Sequence, residues 1–448
     1  MVRWIRQLWF VAVLVVLLSP SLAAADLLQS THFRLDPDVA DNFGGSGSST
    51  DYGLTDSGGE AVVSAGSSQS YMLSQGYEAQ LPHSISLTVL PSGTVAYYPL
   101  DTAAGTQAYD MSANANDGTL TGGPGWITGQ IGDALSFNGA SQYVTIPSSS
   151  SLNQTGDLTI EAWVNLTNYT NTNELVAKTV GSGSTNTTYD LRTQASTGDL
   201  QFLGYDSALR TVTSTVAVGT GGWHQVAVTK TGGTATLYID GVVEGQGNVG
   251  ATSSNSSDVK LGARDDLNSS NFLKGDLDEV RIYGRALSSA EIAGDYTAGQ
   301  SGLEFAQTMP NVTPGASVTY DTDCVVRTDA GGYDLYIQEP NLLTHSDGHT
   351  TIPAISSTIA SPAAWVEGTT QGFGFTVTAG TQVEGKWGTS PNYDYAAVPS
   401  AATDFHSRDG FTGGTPETTS LQFRADTSTS QKSGTYTATI VYTATLKP

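Results

Sequence analysis

The chain is 448 residues long, more than one ordinary core accommodates and enough for two or three. Its 42 Asp plus Glu against 18 Lys plus Arg give a formal charge of -24, which repels nucleic acid and anionic membranes at long range and suits cations or neutral glycans. The single cysteine, Cys324, excludes an intrachain disulfide, so cores or metals must hold the domains together.

Residues 1–25 read as a signal peptide. Arg3 and Arg6 precede an apolar run from Leu8 to Leu18, Ser19-Pro20-Ser21 interrupts it short of the roughly 20 residues a spanning helix needs, and Ala23-Ala24-Ala25 offers a cleavage site before Asp26. The expectation is a secreted or cell-surface chain with no membrane insertion after cleavage. Residues 26–82 carry a repeat with a period of 19 residues, in copies starting at Ser30, Ser49 and Ser68. Each copy places an aromatic and a Leu two apart on one strand face (Phe33 and Leu35, Tyr52 and Leu54, Tyr71 and Leu73), with Gly/Ser-rich turns between. This predicts a short stalk of β-hairpins, with a semi-flexible spacer as the alternative. Residues 83–93 read as a linker.

From 94 to 298 short apolar alternations recur between turn signals. Leu158, Ile160, Ala162, Val164 and Leu166 alternate with Thr159, Glu161, Trp163 and Asn165, as in a half-buried antiparallel strand. Gly232-Gly233 and Asp240-Gly241 are hairpin dipeptides. Ser288-Ser289-Ala290-Glu291 is a capping box with Leu287 and Ile292 placed as a hydrophobic staple, which predicts one closing helix. After a linker at 299–302, residues 303–448 predict a second sandwich, immunoglobulin-like, with strands at Val318 to Val326, Tyr333 to Ile337, Phe373 to Val377, Ser420 to Phe423 and Tyr436 to Leu446. Cys324 alternates there with Tyr320, Thr322 and Val326, the pattern of a buried, inert thiol.

Three motifs give the central segment a family likeness: Gly132-Asp133-Ala134-Leu135-Ser136-Phe137-Asn138-Gly139; Trp223-His224-Gln225-Val226-Ala227-Val228 with Leu237-Tyr238-Ile239-Asp240-Gly241; and Gly275-Asp276-Leu277-Asp278-Glu279-Val280-Arg281-Ile282-Tyr283. In order and spacing they resemble the laminin-G-like modules of the concanavalin A superfamily. The fold class implied is all-β: a concanavalin A-like jellyroll followed by an immunoglobulin-like β-sandwich. The ending from Gly434 onward resembles cell-wall-associated bacterial surface domains.

The resemblance also marks a calcium candidate. After Asp101, the loop residues Asp110, Ser112, Asn114, Asn116 and Asp117 carry side-chain oxygens at close spacing, as a hard cation requires. It is not an EF-hand, and Ala113 and Ala115 stand where family loops carry Gly. Asp278 shares a face with Val280 and Ile282 by period-two alternation. Burial would oblige it to find a metal, an Arg or backbone donors, and it is expected to join the Asp110 loop as ligand or anchor.

No Glu is followed two residues later by Asp, so the paired-carboxylate strand of the related glucanases is missing, as are a G-x-S-x-G elbow and an H-E-x-x-H helix. The expectation is therefore not an enzyme but an adhesin binding a glycan or an extracellular protein. A structural envelope protein or a degenerate glycoside hydrolase are the alternatives. The loops Asn168 to Asn173, Gly181 to Thr188 and Ala251 to Ser257 could contact sugars or simply be solvated. His345-Ser346-Asp347-Gly348-His349 reads as a turn with solvated histidines, and Trp365 and Trp387 as core residues rather than a stacking platform.

Overall fold

A computed structural model describes residues 29–30, 33–34, 44–48, 53–57, 85–182, 186–302, 309, 316–328, 331–410 and 415–447. The signal-peptide pattern and the third repeat copy lie outside the described residues. Within the repeat segment Gln29–Ser30 pairs with Phe33–Arg34, and Gly44–Ser48 with Gly53–Ser57, both antiparallel.

The centre is two packed eight-stranded antiparallel sheets. The front sheet runs Val242–Asn248, Thr234–Ile239, His224–Thr231, Leu158–Leu166, Lys274–Tyr283, Asp133–Asn138, Gly125–Thr128, with Thr94–Tyr98 also on Lys274–Tyr283. The back sheet runs Leu209–Ala217, Asp199–Tyr205, Thr187–Thr193, Asn173–Thr179, Val259–Leu261, Tyr143–Ile146, Gly118–Thr121, Gln107–Ala108. Between them Leu158, Ile160, Ala162, Val164 and Leu166 meet Val144, Ile146, Val176, Leu191, Phe202 and Leu261 in one core.

Both hairpin dipeptides form two-residue turns: Thr231 pairs with Thr234 and Ile239 with Val242, and Asp240 and Gly241 adopt φ of 52° and 75°. The capping box closes as read, with the Ser288 side chain on the Glu291 N–H, and Leu287 and Ile292 share one buried cluster.

Three expectations need correction. Leu158–Leu166 is not half-wet: Thr159, Glu161 and Trp163 are buried as well, because the helix Ser289–Gln300 covers that face and stacks Tyr296 on Trp163 at 5.8 Å. That helix also takes in the first two residues of the 299–302 linker. Asp278 does not share a face with Val280. Trp163 pairs with Asp278 and Glu161 with Arg281, so Ala162 alone opposes both Glu279 and Val280 and the strand bulges at Glu279, whose φ is 53°. The bulge lets Leu277 and Val280 both reach the core and turns Asp278 away from it.

The third correction concerns 83–93. Ile85–Pro91 is a strand of the second sandwich, paired with Val318–Thr328 from Thr322 opposite Pro91 to Thr328 opposite Ile85. One sheet of that sandwich is ordered Gly372–Ala379, Glu417–Asp426, Val318–Thr328, Ile85–Pro91; the other Thr403–Asp409, Gly332–Gln338, Val441–Leu446. The chain thus leaves the sandwich, builds the jellyroll and returns. Leu87 lies in the sandwich core with Cys324, Phe375 and Trp387, whereas Leu90 packs with Tyr97 and Val325 at the junction. Thr322 Oγ1 donates to Leu90 O at 2.9 Å, Arg285 Nε to Ser92 O at 2.8 Å, and Arg327 Nη2 to Ser112 O at 3.0 Å. The expected last strand is split: Tyr436–Thr437 pairs with Thr344–His345, and only Val441–Leu446 joins the three-stranded sheet.

Candidate functional site

The helix and the junction with the sandwich cover the middle of the front sheet's outer face, while Asn165, Asp276 and Ser136 toward one edge and Thr236 and Gln246 toward the other stay partly or fully exposed. The back sheet's outer face carries polar rows instead, set by register. Thr211, Leu203, Asp190, Ala177, Lys260 and Thr145 oppose one another in turn across the strands, and beside them run Thr213, Gln201, Arg192 and Glu174. Their alternate neighbours Val176, Tyr189, Leu191, Phe202 and Leu261 fill the core, which fixes these side chains outward.

The rows centre on two carboxyl groups. Glu174 is fully buried and Asp190 is 1% exposed. Arg192 Nη1 lies 3.5 Å from Glu174 Oε1 and 3.7 Å from Asp190 Oδ2, and Arg264 Nη1 lies 3.8 Å from the same Glu174 oxygen. Neither Glu174 oxygen nor Asp190 Oδ1 accepts a hydrogen bond from any N–H or O–H among the described residues. The Glu174 carboxyl does face Asp190 within bonding reach, a contact that forms only if one of the two carries a proton. Burial first, and Asp190 second, push the Glu174 carboxyl well above the usual carboxylate range.

The surrounding groups hold the arginines in place. Arg192 Nε donates to Gln201 Oε1 at 3.2 Å, and Gln201 Nε2 donates to Gln194 Oε1 at 2.9 Å. Arg264 Nε and Nη2 grip Asp266 at 3.2 and 2.9 Å, and the neighbouring Asp265 accepts from Gly181 N at 2.8 Å. Lys260 Nζ stands 5.3 Å over the Tyr143 ring. Carboxylate acceptors beside guanidinium donors suit vicinal hydroxyls, because one hydroxyl can donate to the first and accept from the second. The sequence shows Asp190 and Arg192 flanking the core residue Leu191. It does not show Glu174 as their partner, because a register shift between Glu174 and Val176 sets that pairing.

The residues expected to bind calcium are placed differently. Asp110 is fully buried and its carboxylate accepts from Tyr97 N at 2.9 Å, Ser112 N at 2.9 Å, Ser112 Oγ at 2.9 Å, Asn116 N at 2.8 Å and Asn116 Nδ2 at 3.2 Å. Asp117 accepts from Asp110 N, Asn114 donates to Val95 O, and Asn116 O accepts from Tyr98 Oη. Asp101 holds Asp133 N at 2.6 Å, and Asp278 Oδ2 takes Gln130 N and Ile131 N at 2.9 and 3.0 Å. Asp278 therefore anchors the 129–131 loop rather than the Asp110 loop. With five donors already on Asp110, the set does not fit a calcium cage, and no group of three or more His, Cys, Asp or Glu side chains among the described residues could hold a metal.

The remaining candidates are structural. Asn168 Oδ1 accepts from Thr170 N at 3.0 Å, and Asn255 Nδ2 donates to Thr188 Oγ1 at 3.0 Å, so these loops brace themselves; residues 183–185 lie outside the described residues. His349 is exposed as read, but His345 is buried and edge-on to Tyr436 at 5.1 Å. Trp387 is in the sandwich core, and the Arg424 guanidinium covers the Trp365 ring at 5.1 Å, so they share no platform.

No curated protein matches the chain. Among solved structures it is similar to domain 4 of the extracellular arabinanase AbnA of Geobacillus stearothermophilus in complex with arabinotriose, at 22% identity over 45% of this chain and 98% of that one, TM-score 0.37. It is similar to the binding domain of Paraclostridial Mosquitocidal Protein 1 at 13% identity over 65% of this chain and 66% of that one, TM-score 0.38. A Trypanosoma rangeli sialidase aligns at 16% identity over 47% of this chain but only 33% of its own length, TM-score 0.38. The family model described as the concanavalin A-like lectin/glucanases superfamily matches residues 138–293. That segment, which supplies most of both jellyroll sheets, belongs to the concanavalin A-like lectin/glucanases superfamily.

Proposed function

We propose that this is a secreted or cell-surface glycan-binding protein whose ligand face is the outer surface of the back sheet around Glu174, Asp190, Arg192 and Arg264. The observation that carries the reading is the meeting of two arginine side chains on a buried carboxyl pair whose oxygens Glu174 Oε1, Glu174 Oε2 and Asp190 Oδ1 receive, among the described residues, no N–H or O–H donor other than a proton shared within the pair. Buried polar groups left in that state are costly, and hydroxyls arriving from a ligand relieve the cost. The Arg3 to Ala25 pattern supports export, and the net charge of -24 favours neutral glycans over anionic ones. The face binds rather than cleaves, in keeping with the missing glucanase carboxylate strand.

The test is a broad glycan array probed with the chain from Asp26 onward and with its Arg192→Ala variant. Binding to a coherent set of neutral glycans that falls at least tenfold in the variant is the expected result. Undiminished binding by the variant would remove the site, and release of shorter sugars by the parent chain would replace binding with hydrolysis.

A further inference from the structure

Beneath the helix Ser289–Gln300 lies a second buried charged cluster that the ligand face does not use. Ala227, Glu161, Arg281 and Tyr97 oppose one another across the front sheet. Glu161 is 1% exposed, and its one cationic neighbour among the described residues, Arg281 Nη1, stands 3.7 Å away, too far for a well-formed hydrogen bond. Arg281 is already engaged through Nη2 with Glu279, which also accepts from Tyr97 Oη at 3.1 and 3.0 Å.

The groups facing Glu161 come from every element packed there. The strand Lys274–Tyr283 supplies Glu279, Arg281 and Tyr283; the helix supplies Asp295 and Glu291; Tyr97 comes from the first jellyroll strand, and Tyr320 of the sandwich lies within the field of both helix acids. Glu291 is answered by Arg285 at 2.8 Å. Arg281 then carries the ion pairs of both Glu161 and Glu279, and the charge of Asp295 acts on Glu161 and Arg281 from the helix. One guanidinium shared by two buried carboxylates, closer to Glu279 than to Glu161, favours a proton on Glu161 in the docked arrangement. Burial, then Asp295, push the Glu161 carboxyl well above its ordinary range, so its contribution to docking is present in acid and lost as pH rises.

We propose that the helix Ser289–Gln300 is a proton-operated clasp, held on the front sheet while Glu161 is protonated and loosened when Glu161 ionises. The helix is the last element before the chain returns to the sandwich, and it buries Trp163, Tyr283 and Ile292. Its release uncovers the front sheet beside the junction between the two modules.

Hydrogen exchange of the full chain, followed by mass spectrometry from pH 5 to 8 and corrected for intrinsic exchange rates, tests the clasp. Amides of the helix are expected to lose protection about tenfold per pH unit above the ordinary carboxylate range, where opening releases one proton, and to level off once the docked Glu161 carboxyl itself ionises. The core strand Asn173–Thr179 serves as the reference and keeps its protection. Glu161→Gln, neutral at every pH, should hold the helix down throughout, and Asp295→Asn should move the levelling-off to lower pH and shrink the total loss. Constant helix protection in the parent chain, or an unchanged pH dependence in Glu161→Gln, overturns the proposal. If Glu161→Gln does not fold, an unmoved levelling-off in Asp295→Asn overturns it equally.

Discussion

Replacing Leu87 with Ala truncates a side chain that is 4% exposed and packs with Cys324, Val326 and Phe375 in the sandwich core. Large-to-small changes at such sites cost about 2–5 kcal/mol, the spread depending on how far the cavity collapses. Leu87 sits on an edge strand backed by Val326 in register, where partial collapse is available, so about 3 kcal/mol is expected. In a folded unit of this size each kcal/mol lowers Tm by roughly 2–4 °C, giving a fall of about 6–12 °C in the sandwich transition. Differential scanning calorimetry reads the shift, and urea unfolding gives the free energy independently. Ser86→Ala, one residue earlier and half-buried, is the control and should stay within about 0.5 kcal/mol. A Leu87→Ala loss below about 0.5 kcal/mol would mean that 85–91 is a linker after all and would refute the inserted-jellyroll topology.

Other perturbations separate structural from ligand roles. Asp110→Ala strands five donors in the loop, so it should destabilise the jellyroll by about 3 kcal/mol, equally in calcium and in chelator; a loss seen only in calcium would restore the metal reading. Ala115 has φ of 49°, a left-handed conformation costing a residue with a Cβ about 1–2 kcal/mol, part of which is offset by the flexibility Gly adds to the unfolded chain. Ala115→Gly should therefore stabilise by about 0.5–1 kcal/mol in thermal melts. Burial pushes Asp278 up to about 7, and likewise Glu339 to about 7. Since the fold favours their neutral forms, stability should fall by up to about 1 kcal/mol per group per pH unit between pH 4.5 and 7, and Asp278→Asn should flatten its share of the slope.

The jellyroll was legible because its signals are local. The dipeptides Gly232-Gly233 and Asp240-Gly241 and the Ser288–Glu291 capping box each lie within a few residues and formed as read, and Leu158–Leu166 forms its strand, though buried on both faces. What escaped depended on long-range pairing. Ile85–Pro91 contains Ile, Leu, Thr and Val in a strand-like order, but nothing local says that its partner lies more than 230 residues away at Val318–Thr328. One inserted residue at Glu279 reversed the expected face of Asp278, since alternation carries no warning of a bulge. The Asp110 loop was read as oxygens awaiting a cation, and its own N–H groups took them. Glu174 went unnoticed because only register joins it to Asp190 and Arg192.

The ligand face is tested most directly by backbone hydrogen exchange of the chain with and without its strongest array glycan at saturating concentration. Slowed exchange in Asn173–Thr179, Thr187–Thr193 and Asp199–Tyr205, with the sandwich strands unchanged, is the predicted footprint. Slowing confined to the sandwich or to the front sheet, or a chain that binds no glycan on the array at all, would contradict the account.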